Sequence, residues 1–398
     1  MIKILAKGEC CGCGACAQKC PKHCITMSAD SEGFLYPKVN EKQCVGCGLC
    51  DGVCPMRSNS EPVLPIGVLA AINYDENVRI KSSSGGIFSL LAEKCIAEGG
   101  VVFGACFTKK WQVEIGYTES IEGIEAFRGS KYVQASVGSA YSDAESFLKQ
   151  GRRVLFSGTP CQISGLNHFL HEKYENLITV DVVCHGVPSP KVWQYYLDEI
   201  ARNAALAINS CSFRNKDNGW KHFNFIMQLG DDGKTAKISS FHQENHYMRA
   251  FLRNMSLRPS CHKCMSKEGR SHSDITIADF WGIQNVLPEM DDDMGTGLVF
   301  VNTAKGQCQI DSIKMRSAPV TIQDALKENP SWKESVQPHP KREHFFKKID
   351  KSKSLCKLID LELMPSHITY KQKLRNMLSK IKQMIVFYSG GVISTLLL

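Results

Sequence analysis

Hydrophobic and polar positions follow two alternating patterns along the middle of the chain. Short apolar runs, typical of buried strands, occupy residues 101–107, 154–156 and 177–183. Stretches with a helical spacing of apolar positions lie between and beside them, at residues 87–97, 163–170 and 192–200. Strands that alternate with helices in this way predict an α/β layer built on parallel strands.

The pattern changes after residue 202. Alternating apolar and polar positions predict strands at residues 210–213, 223–229 and 235–239, with a further apolar strand at 298–301. The GDDG segment at residues 230–233 joins two of these strands and is typical of a hairpin turn. We therefore expect an α+β second half that packs against the first.

The composition narrows the class of protein. The chain has 398 residues, of which 43% are hydrophobic and 22% charged, as in an ordinary globular protein. Ten of its 19 cysteines lie within the first 54 residues. Too few apolar residues precede them for a signal peptide, so we expect reduced thiols and a cytoplasmic protein. No run of 18 uncharged apolar residues occurs, and the nearest to one, residues 383–398, is short for a membrane span.

Two cysteine runs near the start share the spacing C-x2-C-x2-C-x3-C-P and end at Pro21 and Pro55. This is the bacterial ferredoxin spacing, in which the fourth cysteine of each run binds the other cluster. We therefore predict one [4Fe-4S] cluster on Cys10, Cys13, Cys16 and Cys54, and a second on Cys44, Cys47, Cys50 and Cys20.

Zinc on CxxC pairs is the alternative for these runs, but it leaves the third CxxC step and the prolines unexplained. Cys11 and Cys24 fall outside the ferredoxin register. We expect them to be small buried residues or secondary ligands.

Four later cysteines predict a third cluster. The strand at 154–156, the helix at 163–170 and the strand at 177–183 form a βαβ unit, whose two turns meet at the carboxyl edge of the sheet. Cys161 and Cys184 lie in those turns, and the pair Cys261 and Cys264 supplies two more thiolates. We therefore predict a third [4Fe-4S] cluster on these four residues. The alternatives are buried core sulfur for the first pair and a small zinc site or dithiol for the second.

A serine- and glycine-rich loop precedes the predicted helix at 87–97. It consists of Ser82, Ser83, Ser84, Gly85 and Gly86. A helix N-terminus that a ligand can approach closely is suited to a pyrophosphate, and we expect a valine at position 85 to block that approach. Arg128 and Lys131 add two cations nearby in sequence, beside a tyrosine. Serine capping without a ligand and a solvated turn are the alternatives.

These motifs, in this order, resemble a known family: the beta subunits of coenzyme F-420 (deazaflavin)-dependent hydrogenases and dehydrogenases, nearest their bacterial branch. The resemblance rests on the ferredoxin pair and on SSSGGIFS at 82–89, GSKYVQ at 129–134, GTPCQI at 158–163, CHGVPSP at 184–190 and CHKCMSKEGRSHSDITIADFWG at 261–282. The resemblance implies that FAD binds at the glycine pair Gly85 and Gly86 and that iron–sulfur clusters transfer electrons to it. It also implies two-electron exchange with a soluble redox substrate.

The function that these features predict is an iron–sulfur flavoprotein oxidoreductase. Its partners would be a redox protein or reduced ferredoxin and a small-molecule redox substrate. His185, next to Cys184, is a candidate proton donor, with a satisfied turn histidine as the alternative. The competing function is a flavin-free multi-cluster electron carrier or adaptor that docks a partner enzyme.

The predicted fold is mixed, α+β and α/β, and has four segments. They are a two-cluster ferredoxin-like domain (1–60), a flavin-binding α/β region with parallel strands (66–202), an α+β half that contains the CxxC pair (203–332) and a basic amphipathic tail (333–398).

The net charge of +8 comes from the tail. Residues 333–398 contain 13 Lys and Arg against 5 Asp and Glu, whereas the numbers are equal in the rest of the chain. The body is therefore neutral, and we expect no nucleic-acid partner.

Apolar residues of the tail follow helical spacing at Leu374, Met377, Leu378, Ile381, Met384 and Ile385. Basic residues mostly take the other side, at Lys371, Lys373, Arg375, Lys380 and Lys382. Such a helix docks on the body or makes a peripheral membrane contact.

The membrane alternative has a direct test. The chain should sediment with anionic liposomes at low salt and be partly released at high salt, because screening weakens the attraction of the lysines to lipid headgroups. Truncation after Tyr370 should abolish the binding. Equal sedimentation of the full and truncated chains would exclude the membrane contact.

Overall fold

The computed structural model describes residues 1–231 and 233–364. Its strands are β1 (Ile25–Ala29), β2 (Leu35–Val39), β3 (Gly67–Ile72), β4 (Val101–Phe107), β5 (Val113–Thr118), β6 (Val154–Gly158), β7 (Leu177–Val182), β8 (Ile208–Asn215), β9 (Asn224–Asp231), β10 (Lys234–Phe241), β11 (Ile275–Asp279), β12 (Gly297–Val301) and β13 (Arg316–Pro319).

The α-helices are α1 (Ala15–Gln18), α2 (Leu49–Gly52), α3 (Glu76–Lys81), α4 (Ile87–Ala97), α5 (Ala140–Lys149), α6 (Pro160–Leu170), α7 (Pro190–Ala204), α8 (His246–Leu252), α9 (Ala304–Asp311), α10 (Ile322–Leu326), α11 (Arg342–Ile349) and α12 (Leu355–Leu363). Short 3-10 helices occupy Lys7–Glu9, Pro55–Arg57, Glu122–Phe127, Pro259–Lys263, Ile283–Asn285, Pro288–Met290 and Pro330–Trp332.

An eight-stranded mixed sheet forms the centre of the fold, in the order β13-β3-β12-β11-β7-β6-β4-β5. The four neighbours β4, β6, β7 and β11 are parallel, with Val101 opposite Val154 and Val154 opposite Leu177. Antiparallel strands flank them on both sides. The predicted parallel α/β layer is therefore confirmed.

The central strands are apolar throughout because helices cover both faces of the sheet. Phe103 and Phe156 point to the face that α5 and α6 cover, where they join Tyr141 and Ile163 in one core cluster. The alternate positions on the same strands point to the other face and pack against α4. Side chains alternate between faces with a period of two, so each short apolar run contributes to two cores.

Two smaller sheets complete the fold. β8, β9 and β10 form an antiparallel sheet, in which the predicted hairpin pairs Lys234 with Asp231. β1 and β2 form the ferredoxin hairpin. The short helices α1 and α2 follow Gly14 and Gly48, whose left-handed φ angles of 76° and 77° place the two cysteine runs in the same local geometry.

The predicted segments share one core. One cluster of buried residues contains Phe34 of the ferredoxin hairpin, Trp193 of α7, Phe225 of β9 and Phe345 of α11. The eight-stranded sheet also takes strands from both sides of residue 202. In the described part of the predicted tail, residues 333–364, the helices α11 and α12 pack into this core. The predicted tail helix at 374–385 lies outside the described residues.

Among the described residues, no helix is long and apolar enough to cross a membrane.

Candidate functional site

The ferredoxin cysteines form two groups. Cys16 is half-buried, and burial together with the neighbouring Cys10 and Cys54 raises its pKa to about 12. The last cysteine of the second run therefore lies beside the first run. The other group lines a small cavity and consists of Cys20, Cys24, Cys44, Cys47 and Cys50. The grouping agrees with the predicted crossed ligation, and the ligand roles stay predictions.

The four cysteines predicted for a third cluster line one cavity. Cys161 lies in the first turn of α6, and Cys184 follows β7, the parallel neighbour of β6. The 3-10 helix Pro259–Lys263 brings in Cys261, and Cys264 follows it. The βαβ geometry predicted from the sequence brings Cys161 and Cys184 together, and the CxxC segment adds Cys261 and Cys264 to the lining of the same cavity.

The chemistry of this thiol set fits an iron–sulfur cluster. Burial raises the pKa of Cys261 to about 12 and raises those of Cys184 and Cys264 as well. Buried thiols of this kind stay protonated until a metal replaces their protons. Lys267 also lines the cavity, and its Nζ donates to the carbonyl of Cys184 at 2.8 Å. A positive charge therefore lies close to the cysteines, whose thiolates would be negatively charged when they bind a cluster.

Among residues 1–231 and 233–364, no three Cys, His, Asp or Glu side chains converge closely enough to hold a single metal ion.

A much larger cavity, of about 750 Å³, opens beside the four-cysteine cavity. It lies at the carboxyl ends of β6, β7 and β11, the edge where α/β sheets place their ligands. All the cofactor and catalytic candidates outside the cysteines line it, namely Ser82, Ser83, Ser84, Gly85, Gly86, Arg128, Lys131 and His185.

The serine loop leaves the N-terminus of α4 uncapped by side chains. Gly86 is the N-cap residue, with a left-handed φ of 81°, and no side chain caps the helix. The serine hydroxyls are engaged elsewhere: Ser82 donates to the carbonyl of Val78, and Ser84 to that of Thr296, both at 2.7 Å. The alternative of serine capping is therefore wrong, and the first two residues of α4, Ile87 and Phe88, line the cavity.

Gly85 has a structural role that the sequence did not indicate. A Cβ atom at this position would lie 2.3 Å from the carbonyl oxygen of Ala71 in β3 and 2.5 Å from the amide nitrogen of Gly297 in β12. A valine there would therefore also disturb the packing of the loop against the sheet, and its effect on ligand approach stays a prediction.

Arg128 and Lys131 are held by the protein itself. Arg128 donates to Ser89 at 2.9 Å and to Glu93 at 3.1 Å, both on α4. The Lys131 ammonium donates to the carbonyls of Ala126 and Arg128, and burial lowers its pKa to about 8. This arrangement is not a solvated turn, and contacts of these cations with a phosphate stay a prediction.

His185 contacts both cavities. Its Nε2 lies 2.7 Å from Oδ1 of Asn254, and its ring meets Phe251 edge-on. Burial lowers its pKa. These contacts describe a satisfied turn histidine, and a proton-donating role stays a prediction.

Sequence reasoning missed a buried ion pair in the wall of the large cavity. Arg214 of β8 donates to both carboxylate oxygens of Asp279 at 2.7 and 2.8 Å, and to the hydroxyl of Tyr132 at 3.0 Å. It also donates to the carbonyl of Ser83 and lies 4.2 Å above the ring of Phe223. The guanidinium thus joins the small sheet, the large sheet and the serine loop.

The two cavities share a wall. Residues 182–187, the end of β7 and the turn that contains Cys184, line both of them. Ser331 also lines both cavities. Groups bound in the two cavities would therefore be separated by a single layer of protein.

Comparison with known proteins first identifies the N-terminal domain: residues 9–58 match the family model of a 4Fe-4S dicluster domain, so the chain contains an iron–sulfur domain. Residues 151–323 match the model of the C-terminal part of the coenzyme F420 hydrogenase/dehydrogenase beta subunit. The predicted resemblance to this beta subunit family is confirmed over these residues. The bacterial branch stays a prediction.

Among solved structures, a chain from the xenon-derivatised F420-reducing [NiFe] hydrogenase complex of Methanosarcina barkeri matches with 17% identity and a TM-score of 0.46. The match covers 74% of the present chain and 97% of that chain. No curated protein matches the chain.

The four-cysteine cavity predicts the iron content. The anaerobically purified chain should contain about twelve irons, and the double variant Cys261→Ser/Cys264→Ser about eight, because each cubane holds four. Colorimetric iron analysis checks this. The matched control is Cys211→Ser/Cys308→Ser, two cysteines outside the cavity, which should keep all the iron. Unchanged iron in the first variant would exclude the third cluster.

The packing of Gly85 predicts a loss of stability. We expect Gly85→Ala to lower the free energy of unfolding by about 1–3 kcal/mol, the usual cost of overpacking, because its Cβ would meet backbone atoms that cannot move aside easily. Gly67→Ala in β3 is the control, since its nearest contact would lie at 3.7 Å. Thermal unfolding compares them, and equal midpoints would contradict the packing role.

Proposed function

We propose that this chain is an iron–sulfur flavoprotein oxidoreductase. Electrons would pass from the ferredoxin region through the four-cysteine site to an FAD in the large cavity, where a soluble small-molecule substrate exchanges two electrons. Iron–sulfur clusters transfer single electrons and a flavin accepts one or two, so the flavin supplies the conversion between the two.

The observation that carries this proposal is the wall shared by the two cavities. The turn at 183–187 lies between them, and Cys184 lines both. A group held in the large cavity would therefore be the nearest acceptor for electrons from the four-cysteine site. A protein that only carried electrons would have no need for a large cavity at this position.

The large cavity fits a dinucleotide cofactor in size and in chemistry. Its volume of about 750 Å³ lies within the range of small-molecule sites. The uncapped N-terminus of α4 offers backbone amides and the positive end of a helix dipole to a pyrophosphate. Aromatic rings of Tyr132, Phe223 and Trp281 offer apolar surface to a flat ring system.

Residues of this chain would hold the cavity in a shape that is ready to bind a cofactor. The Arg214–Asp279 pair fixes the serine loop relative to the aromatic rings of the cavity, so that the loop and the rings would not have to move when a cofactor binds. His185 lies where the two cavities meet and is the candidate that would supply a proton to a reduced substrate.

The electron donor would be a redox protein or reduced ferredoxin that docks at the second ferredoxin group. Cys47 of this group is exposed, and the flanking Val45 and Leu49 are exposed as well, at 61% and 42%. Exposed apolar residues around a redox centre are suited to a transient partner.

Flavin content tests the proposal directly. The anaerobically purified chain should release flavin into the supernatant after acid precipitation, in about equimolar amount. Ala278 of β11 is half-buried and lines the large cavity, so Ala278→Phe should fill part of it and remove most of the flavin while about twelve irons remain.

The control for this variant is Ala318→Phe, on the edge strand β13 and outside the cavity, which should keep both flavin and iron. A wild-type chain with all its iron and no flavin would contradict the proposal and favour the flavin-free electron carrier.

A further inference from the structure

Arg258 is a fully buried cation whose hydrogen-bond partners are all uncharged. Its guanidinium donates to the carbonyls of Cys10 and Leu35 at 2.8 and 2.9 Å, and to the side-chain oxygen of Gln134 at 3.0 Å. Two aromatic rings of the ferredoxin hairpin lie beside it, and a ring attracts a cation only weakly. Among the residues that the structure describes, Arg258 forms no ion pair.

The other buried arginines of the described chain each have a carboxylate partner. The pairs are Arg79 with Asp292, Arg214 with Asp279 and Arg342 with Glu32. Burial of a charge without a counter-charge costs much free energy. A buried lysine can lose its proton, but an arginine stays charged in a protein. The burial of Arg258 therefore indicates a negative charge that no described residue supplies.

The guanidinium lies against the loop of the first cysteine run. A Cβ at Gly12 would lie 2.7 Å from one of its terminal nitrogens and 2.9 Å from its central carbon. Gly12 stands between Cys11 and Cys13, in the loop predicted to hold the first ferredoxin cluster. A cluster held by four thiolates is negatively charged, and reduction adds a further negative charge. This cluster would be the missing counter-charge.

The second cysteine run shows the same loop without the arginine. Gly46 is the counterpart of Gly12, and the two have similar left-handed φ angles of 69° and 75°. Apart from its chain neighbours, no atom lies within 4 Å of the position of a Cβ at Gly46, which is exposed. The two runs therefore share their cysteine spacing and loop geometry, but only the first has a buried cation against its loop.

Burial and positive charge act on the first cluster in opposite directions. Removal from water destabilises the more negative, reduced state and lowers the reduction potential, whereas a nearby cation stabilises that state and raises the potential. Cys10 and Cys13 are buried, whereas Cys47 of the second run is exposed. Burial alone would therefore make the first cluster the poorer electron acceptor of the two.

We propose that the Arg258 guanidinium is the counter-charge of the first ferredoxin cluster and raises its reduction potential. Inward transfer then becomes more favourable: one electron leaves the exposed second cluster, which is oxidised, and enters the first, which is reduced. No bond forms or breaks. This direction of transfer rests on the proposed function, whereas the effect of Arg258 on the first cluster requires only the two ferredoxin clusters.

The test compares reduction potentials in the full, cluster-loaded chain. Arg258→Gln and Arg258→Lys both keep a long side chain with a terminal N–H donor, but only the lysine keeps a positive charge. The control is Arg79→Gln, which removes a buried arginine that lines neither of the cysteine cavities. Redox titration followed by electron paramagnetic resonance gives the potentials, and Cys47→Ser identifies the signal of the second cluster. Iron content is measured in parallel.

We expect Arg258→Gln to lower the potential of the first cluster and to leave that of the second nearly unchanged. In a protein interior one nearby charge changes an equilibrium by about tenfold, which for a one-electron reduction is ~59 mV. Arg258→Lys should recover most of this shift, because it restores the charge. Arg79→Gln should change neither potential.

Several outcomes would overturn the inference. With iron retained, these are an unchanged first-cluster potential in Arg258→Gln and equal shifts in the glutamine and lysine variants. A shift confined to the third cluster would also contradict it, because Arg258 lines the four-cysteine cavity as well. If the glutamine variant loses iron, retention by the lysine variant supports the counter-charge, and equal loss from both contradicts it.

The same measurements separate this inference from the proposed function. An unchanged first-cluster potential in a glutamine variant that retains iron and flavin would remove the role of Arg258 and leave the proposed function intact. A wild-type chain without flavin would remove the proposed function, and the effect of Arg258 on the first cluster would still be measured.

Discussion

The parallel pairing of β6 with β7 is the constraint on which the candidate site depends. The two strands pair from Val154 opposite Leu177 to Gly158 opposite Asp181, and α6 connects them. Parallel strands end at the same edge of a sheet, so the residues that follow both strands meet there. This single pairing places Cys161 beside Cys184 and opens the large cavity at the same edge.

Buried arginines join the other segments to that edge. Arg258 is fully buried and donates to the carbonyls of Cys10 and Leu35 and to the side chain of Gln134, which ties the ferredoxin region to the body. Arg214 makes the corresponding connection for the small sheet through Asp279. Loss of one partner from a buried ion pair usually costs about 3–5 kcal/mol, so the Arg214–Asp279 pair is expected to contribute strongly to the stability of this connection.

Local sequence signals predicted the parts of the structure that depend on neighbouring residues. The helix at 87–97 matches α4 at both ends, because apolar spacing and the preceding glycines define it locally. The ferredoxin spacing is likewise a local pattern, confirmed by the dicluster match. The convergence of Cys161 and Cys184 followed from the handedness of a βαβ unit, which is a general rule of chain topology.

No local sequence pattern predicted the contacts between residues that are far apart in the sequence. Arg214 and Asp279 are 65 positions apart, and nothing near either residue indicates the other. Gly85 looked like a ligand-binding glycine because its true constraint, the backbone of β3 and β12, is not adjacent in sequence. Cys11 looked like a spare residue of the ferredoxin run for the same reason, since the cavity that it lines together with Cys161 is formed by residues distant in sequence.

The ferredoxin cysteines differ in exposure. Cys47 is exposed, whereas the other nine cysteines among the first 54 residues are half-buried or buried. Water stabilises charge, so exposure is one of the factors that set a cluster's potential. In the proposed function, a redox partner would therefore reach the protein at its exposed cysteine. An electron route that enters there and ends in two-electron chemistry at the large cavity would keep the two exchanges in separate parts of the molecule.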